Sequence, residues 1–239
     1  MDLNEKVAVV TGASAGLGLA FARALMAKGA QVFGLSRRPE KLEAIRDKLG
    51  ERFHPLPCDV TDEVQVKRAF EAVKREAGRL DILINNAGLG KFGRVDELSV
   101  DHWTVQIETN LGGVFRCTRE AVPLMKRQNA KTGFGGHIVN IASIAGLIGN
   151  PQLSAYNATK FGLRGFSEAL MKELREDNIK VTCICPGSVD THFASSSGSR
   201  GAANPMQPQD IADTVIHVLE GPANYLISEV VMRPLRPKG

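Results

Sequence analysis

Short apolar runs rich in β-branched residues alternate with longer amphipathic stretches along this whole chain. That alternation restricts the fold more than any single motif. It predicts strands over 7–11, 31–36, 53–57, 80–85, 137–142, 180–185 and 225–231. Helices are predicted over 16–28, from about 39, and over 62–77, 100–127, 154–176 and 210–219. Pro39 suits a first helical turn, Gly29 and Gly78 suit helix ends, and Thr61 is the expected cap of the third helix. Pro123 is expected to bend the long fourth helix. Seven strands interleaved with helices mean βαβ units, hence an α/β fold with a mostly parallel seven-stranded sheet and helices on both faces. Such sheets bind ligands beyond the carboxyl ends of their strands.

With 239 residues, 43% of them hydrophobic and 23% charged, the chain suits one domain over 1–239, and neither an internal repeat nor a linker interrupts it. The net charge of +4 is spread among acids with no basic stripe carrying interleaved aromatics, so no nucleic-acid partner is expected. No apolar run approaches a membrane span, and residues 1–6 lack a signal-peptide core, so no membrane association and a cytoplasmic location are expected. Cys58, Cys117, Cys183 and Cys185 have neither a disulfide framework nor metal-ligand spacing, and the five histidines are scattered. Buried thiols and no metal are expected, with Cys183 and Cys185 on one side of a strand.

The first strand ends in a glycine-rich turn: Gly12, Ala13, Ser14, Ala15, Gly16, Leu17, Gly18. Backbone N–H groups of such a turn can approach a pyrophosphate at the following helix N-terminus. After the second strand come Ser36, Arg37 and Arg38, with no carboxylate before Glu40. An acid there would hold ribose hydroxyls, whereas arginine accommodates a 2′-phosphate, so NADP(H) is expected over NAD(H). Asp59 could accept from an adenine amino group with Val60 against the ring, or could serve a helix start near Thr61. Asn86, Ala87 and Gly88 would bring small residues close to the cofactor.

Tyr156 and Lys160 lie one helical turn apart. A phenol with a pKa of about 10 is a poor acid or base near neutrality, and an adjacent ammonium pulls it toward the working range. Ser143 ends the fifth strand, with enough chain before Tyr156 to bring its hydroxyl beside the phenol. Asn110 interrupts a helical stretch with a side chain poorly suited to helix interiors.

These segments, with Asn85 before Asn86 and Pro186 and Gly187 after the sixth strand, resemble the short-chain dehydrogenases/reductases over essentially the whole chain. The resemblance implies a Rossmann-type, doubly wound domain, a nicotinamide cofactor and a catalytic tetrad of Asn110, Ser143, Tyr156 and Lys160. It implies that Tyr156 exchanges a proton with the substrate oxygen and that Ser143 orients that oxygen. Lys160 would lower the phenol pKa and hold the nicotinamide ribose, and Asn110 would hold a water linking Lys160 to solvent. In the segment after Pro186 and Gly187, which includes Val189, the resemblance makes Thr191 a contact of the nicotinamide carboxamide. It also implies a homo-oligomer, a tetramer or dimer, built on the helices bearing Asn110 and Tyr156. Two departures matter. Residues 227–234 look closer to broad carbonyl reductases and hydroxy-acid dehydrogenases than to fatty-acid-synthesis reductases. No basic residue stands inside the glycine turn, so the NADP expectation rests on Arg37 and Arg38.

A substrate loop, mobile in the absence of ligand, is expected over about 191–206. A pocket wall of Leu89, Phe92, Ala145, Leu147, Leu153, Ser188 and Phe193 is mostly apolar, and Arg94 and Arg200 are candidate partners for a substrate carboxylate. The expected function is a carbonyl reductase passing a hydride between NADP(H) and a small or medium carbonyl or secondary alcohol. The alternatives are a 3-oxoacyl thioester reductase or hydroxy-acid dehydrogenase, a non-catalytic NADP(H)-binding sensor, and an isomerase or dehydratase on the same scaffold.

Overall fold

The computed structural model describes residues 1–191, 193, 197 and 203–236. Seven strands form one sheet: β1 (Val7–Thr11), β2 (Gln31–Ser36), β3 (Phe53–Pro57), β4 (Ile82–Asn85), β5 (Gly136–Ile141), β6 (Ile179–Pro186) and β7 (Glu229–Met232). Their order is β3-β2-β1-β4-β5-β6-β7, and every neighbouring pair is parallel. The chain starts in the middle of the sheet, builds outward to β3, then crosses back to β4. That reversal between β1 and β4 leaves a crevice at the carboxyl ends, where a doubly wound sheet binds its ligand. Pro55 and Pro57 sit on the edge strand, where a missing N–H breaks no interior ladder.

Alternation along β1 explains the two-faced core. Ala8 and Val10 face a layer with α1 (Gly16–Ala27), α2 (Pro39–Leu49) and α7 (Pro208–Glu220). Val7 and Val9 face the opposite layer, made by α3 (Glu63–Ala77), α5 (Gly113–Thr132) and α6 (Ser154–Leu174). All of these side chains but Val7 are wholly buried, as a strand covered on both faces requires. At the amino ends of the strands, buried Asp81 accepts from Val7 N at 2.9 Å, from Arg79 at 2.8 and 2.6 Å, and from Gln128 Nε2 at 2.9 Å. A carboxylate so paired locks the end of the sheet away from the ligand crevice.

Three local expectations are corrected. Asp62, not Thr61, caps α3, accepting from Val64 N and Gln65 N at 2.9 and 3.1 Å. The long fourth helix divides at Glu108–Gly112, a π-helical turn between α4 (Val100–Ile107) and α5, while α5 itself continues through Pro123. The last strand is shorter than expected, because residues 225–228 precede its ladder. The expected loop over 191–206 lies largely outside the described residues, as does Arg200. No helix among the described residues is long and apolar enough to cross a membrane.

Candidate active site

The glycine turn is shaped by contacts that leave no room for side chains. Gly12 and Gly16 take φ of +68° and +53°, which glycine adopts without strain. A Cβ on Gly12 would lie 2.9 Å from Asn86 Nδ2, and one on Gly18 would strike the Gly12 carbonyl. The turn is therefore pressed between the start of α1 and the end of β4. Ala15 stands at the α1 N-cap with no side-chain cap, and no acid follows in the first turn. The helix thus keeps its positive end open toward an anion.

The end of β2 meets this turn directly. Ser36 Oγ donates to Ser14 Oγ at 2.8 Å, and Arg38 Nη2 donates to the same oxygen at 2.7 Å. Two serine hydroxyls and a guanidinium converge beside the turn, a donor set suited to phosphate oxygens. Arg37 points elsewhere, with its Nη1 3.9 Å from Asp59 Oδ2 in an exposed pair. Asp59 Oδ1 is committed to Thr61, accepting from its N and Oγ1 at 2.9 and 2.8 Å. Val60 is buried against Gly113 of α5 and belongs to the core.

Asn86 acts through the scaffold. Its Nδ2 donates to Thr11 O at 2.9 Å, and its own N and that of Ala87 both donate to Thr11 Oγ1 at 2.9 Å. Thr11, unremarkable in sequence, thereby fastens β4 to β1 at the crevice. Gly88 then runs past the polar centre, since a Cβ there would lie 3.2 Å from Asn110 Oδ1 and 3.8 Å from Lys160 Nζ. Beyond β6, Gly187 N donates to Met232 O at 2.8 Å and Val189 pairs with Met206. Thr191 follows and hangs over the glycine turn, its Cγ2 3.5 Å from where a Gly16 Cβ would be. Leu17 packs on the core from α1, and Pro186 ends β6.

Asn110, Ser143, Tyr156 and Lys160 converge from the π turn, the end of β5 and the first turns of α6. Lys160 Nζ donates to Ile141 O at 2.9 Å and lies 5.6 Å from the centre of the Tyr156 ring. Ser143 caps a 3-10 turn, its Oγ accepting from Ala145 N at 3.1 Å. Asn110 is 1% exposed. Its Oδ1 accepts from Leu89 N at 2.9 Å, and its Nδ2 donates to Leu89 O at 2.9 Å and to Thr159 Oγ1 at 3.1 Å. Both amide hydrogens are thus spent on protein, so the side chain clamps the strand-end loop against α6.

Burial governs the electrostatics. Desolvation pushes the Tyr156 phenol well above its ordinary value, opposed by the Ser143 hydroxyl. It also pulls Lys160 down to about 8, partly offset by Cys183 and Cys185. Phe92 and Phe193 seal the phenol, their ring centres each 5.5 Å from its own. Gly90 makes room for both phenylalanines, since a Cβ there would lie 2.8 Å from Phe92 and 2.9 Å from Phe193.

Sequence reasoning missed the amides that support this centre. Gln106, wholly buried, accepts from Lys91 N at 3.0 Å and donates to Lys91 O at 3.2 Å. It repeats one turn earlier the clamp that Asn110 makes on Leu89. Asn157 holds the turn after Ser143 by donating to Ala145 O and Ile148 O at 2.6 and 2.9 Å. Their signal was present: amides inside helical stretches compete with the backbone and need a partner to be kept there.

The sequence pattern of the short chain dehydrogenase family matches residues 6–201, and the chain belongs to that family. It is an oxidoreductase with a Rossmann-type domain. An uncharacterized oxidoreductase of Staphylococcus aureus (strain USA300) is 35% identical over 234 residues, covering 98% of this chain and 99% of that protein. An oxidoreductase of Botryotinia fuckeliana (strain B05.10) is 39% identical over 193 residues, covering 80% and 69%. Among solved structures, a Brucella melitensis 3-ketoacyl-(acyl-carrier-protein) reductase complexed with NADH superposes with a TM-score of 0.90 at 27% identity, covering 98% of this chain and 99% of that one. The closed form of a serine dehydrogenase complexed with NADP+ gives 0.86 at 31%, covering 95% and 94%.

Proposed function

We propose that this protein is an NADPH-dependent carbonyl reductase acting on small or medium, mainly apolar ketones, reversibly toward the secondary alcohol. The observation that carries the proposal is the convergence of Ser143, Tyr156 and Lys160 under Phe92 and Phe193, one crevice away from Ser14, Ser36 and Arg38. The glycine turn with its open helix end would hold the pyrophosphate. Ser14, Ser36 and Arg38 would hold a 2′-phosphate, with Arg37 at its exposed flank, while Thr191 and Lys160 would hold the nicotinamide half. The bound cofactor supplies, or accepts, a hydride at the carbonyl carbon.

Tyr156 gives its phenolic proton to the carbonyl oxygen during reduction, while Ser143 donates a hydrogen bond to the same oxygen and fixes its position. Burial raises the phenol above its ordinary value, which favours the acid role over the base role. The Lys160 ammonium stabilises the phenolate left behind. Because its pKa has fallen to about 8, that support is complete at lower pH and disappears as pH rises through 8. Asn110 acts as a positioning residue, through Leu89 and Thr159.

The rings of Phe92 and Phe193 make the surroundings of the phenol apolar. Arg94, one of the two expected candidates for a substrate carboxylate, is two-thirds exposed and pairs with Asp96 at 3.3 Å. Trp103, Phe115 and Phe161 stand half exposed on α4, α5 and α6. We take them as the apolar surface of a homo-oligomer, dimer or tetramer. Four free, buried cysteines suit a reducing compartment such as the cytoplasm. The test is direct titration of purified protein with NADPH and NADH, then a carbonyl panel with the tighter one, following loss of the reduced cofactor. Preferred NADPH binding with turnover of apolar ketones is expected. Binding without turnover of any ketone or alcohol would return the sensor reading, and binding of neither cofactor would refute the proposal.

A further inference from the structure

Beneath Lys160 lies a group that the proposed chemistry does not use. Cys183 and Cys185 flank Ile184 on β6, with their sulfurs 3.9 Å apart on one face. Glu229 on β7 is the ladder partner of Cys183, so its side chain emerges on the same face. One carboxylate oxygen and the two sulfurs all lie within 4.8 Å of one another. The cysteines are 3% and 0% exposed, while the Glu229 side chain is 34% exposed. The trio is therefore buried at its sulfur end and open at its oxygen end.

We infer that Cys183, Cys185 and Glu229 form a binding site for a thiophilic divalent cation of the zinc class, placed to inhibit the enzyme. Two sulfurs bound at about 2.3 Å to a tetrahedral zinc stand about 3.8 Å apart. The observed separation of 3.9 Å needs almost no adjustment. A carboxylate oxygen supplies the third ligand, and the open side admits a water as the fourth. Binding forms two metal–sulfur bonds and one metal–oxygen bond and releases two thiol protons to solvent. With two thiolates and one carboxylate around a divalent ion, the net charge of the site is −1, so it does not repel the nearby ammonium. A spacing of two residues on one strand offers only two ligands. The third arrives from a strand far away in sequence, which is why the site cannot be read from the cysteines alone.

The route from this site to the chemistry runs through Arg164. Its Nε and Nη2 donate to Glu229 at 2.7 and 3.0 Å, and its Nη1 donates to Gly146 O at 3.0 Å. Gly146 closes the turn that begins at Ser143. A cation that takes Glu229 removes the partner that holds Arg164 on this turn. On the sheet side, Ile184 sits between the sulfurs and pairs with Ile141, whose carbonyl accepts from Lys160. Occupancy therefore disturbs the supports of both Ser143 and Lys160.

Cadmium is the probe, because its thiolate complexes absorb in the ultraviolet. Titration of the full-length protein should give that absorption at one ion per chain, with turnover falling in step and returning when a chelator is added. Cys183→Ser and Cys185→Ser should each abolish the band. Glu229→Gln, a half-exposed change that spares the core, should weaken binding by about tenfold or more. Absence of the band would overturn the inference, as would a band that survives both serine substitutions, since Cys58 or Cys117 would then be the ligand. Full occupancy with unchanged turnover would overturn the link to catalysis. The absorption needs no turnover, so a protein that binds cadmium but reduces nothing would count against the reductase proposal alone.

Discussion

The two halves of the crevice are built by different means. The half over β1, β2 and β3 is made of backbone: a glycine turn, an uncapped helix end, and two serines and an arginine standing on strand ends. The half over β4, β5 and β6 is made of side chains, each held by a buried amide or carbonyl. Asn110 and Gln106 clamp the loop after β4, Asn157 clamps the turn after Ser143, and Lys160 hangs from Ile141 O. The first half can bind an anion without being rigidly dry. The second must hold a phenol, a hydroxyl and an ammonium in one geometry away from water, and both pKa shifts record the desolvation this entails. Under the proposed function, binding and chemistry therefore fall mostly to different halves, with Lys160 serving both.

Tyr156→Phe should break the catalytic half alone. Loss of the transferable proton should reduce kcat by about 10²–10⁴-fold, with NADPH affinity within about twofold of wild type, read by steady-state kinetics and fluorescence titration. Arg38→Ala should break the other half. It should weaken NADPH by roughly tenfold or more while leaving NADH nearly unchanged, a loss of about 1.4 kcal/mol or more. Arg37→Ala should do less, because Arg37 is 67% exposed and leans on Asp59.

The pH profile sharpens the comparison further. Reductive kcat/KM should fall as pH rises through about 8, where Lys160 loses its proton, and Lys160→Met should remove that limb along with most of the rate. The same group carries a stability signature. Its pKa lies below the ordinary lysine value, so between about 8 and 10.5 the unfolded chain binds more protons and stability rises with pH. The buried thiols of Cys58, Cys117 and Cys183, all raised above their ordinary values, push stability the other way above about pH 9. The Lys160 contribution is therefore read as the wild-type minus Lys160→Met difference in thermal melts, which should rise with pH from about 8 to 10.5. A flat difference would mean that Lys160 is not desolvated.

The smallest effect lies away from both halves. Thr182 Oγ1 donates to Ile227 O at 2.6 Å, so His137 Nε2, 2.8 Å from that oxygen, must carry a proton and donate. Nδ1 is then bare and without a partner among the described residues. Burial lowers the His137 pKa to about 3. The unfolded chain binds more protons between its ordinary value of 6.5 and about 3, so stability falls as pH drops through that window. His137→Gln should flatten this acid slope in denaturant titrations, with turnover at neutral pH unchanged.

The same contrast explains what the sequence made legible. Backbone-built features announce themselves locally, because only glycine suits the turn and only a strand end places Ser36 and Arg38 beside it. The seven strands and the parallel, doubly wound sheet were readable because each strand and helix carries its own local period. The clamps were not, because each amide has its partner far along the chain: Gln106 with Lys91, Asn110 with Thr159. Asp59 shows the opposite case. Of its two sequence readings, an adenine contact and a helix start near Thr61, the second is met by one carboxylate oxygen, which accepts from Thr61, a bond between near neighbours that local sequence already allowed. Glu229 was hidden for a third reason, since only the register of β6 on β7 brings it to the cysteines.

The most direct test of the central claim measures NADPH affinity and saturated turnover side by side in Tyr156→Phe and Arg38→Ala. Two uncrossed losses are expected: turnover without affinity in the first, affinity without saturated turnover in the second. Variants that each lose both quantities together would contradict that claim, and would show that the crevice works as a single coupled unit.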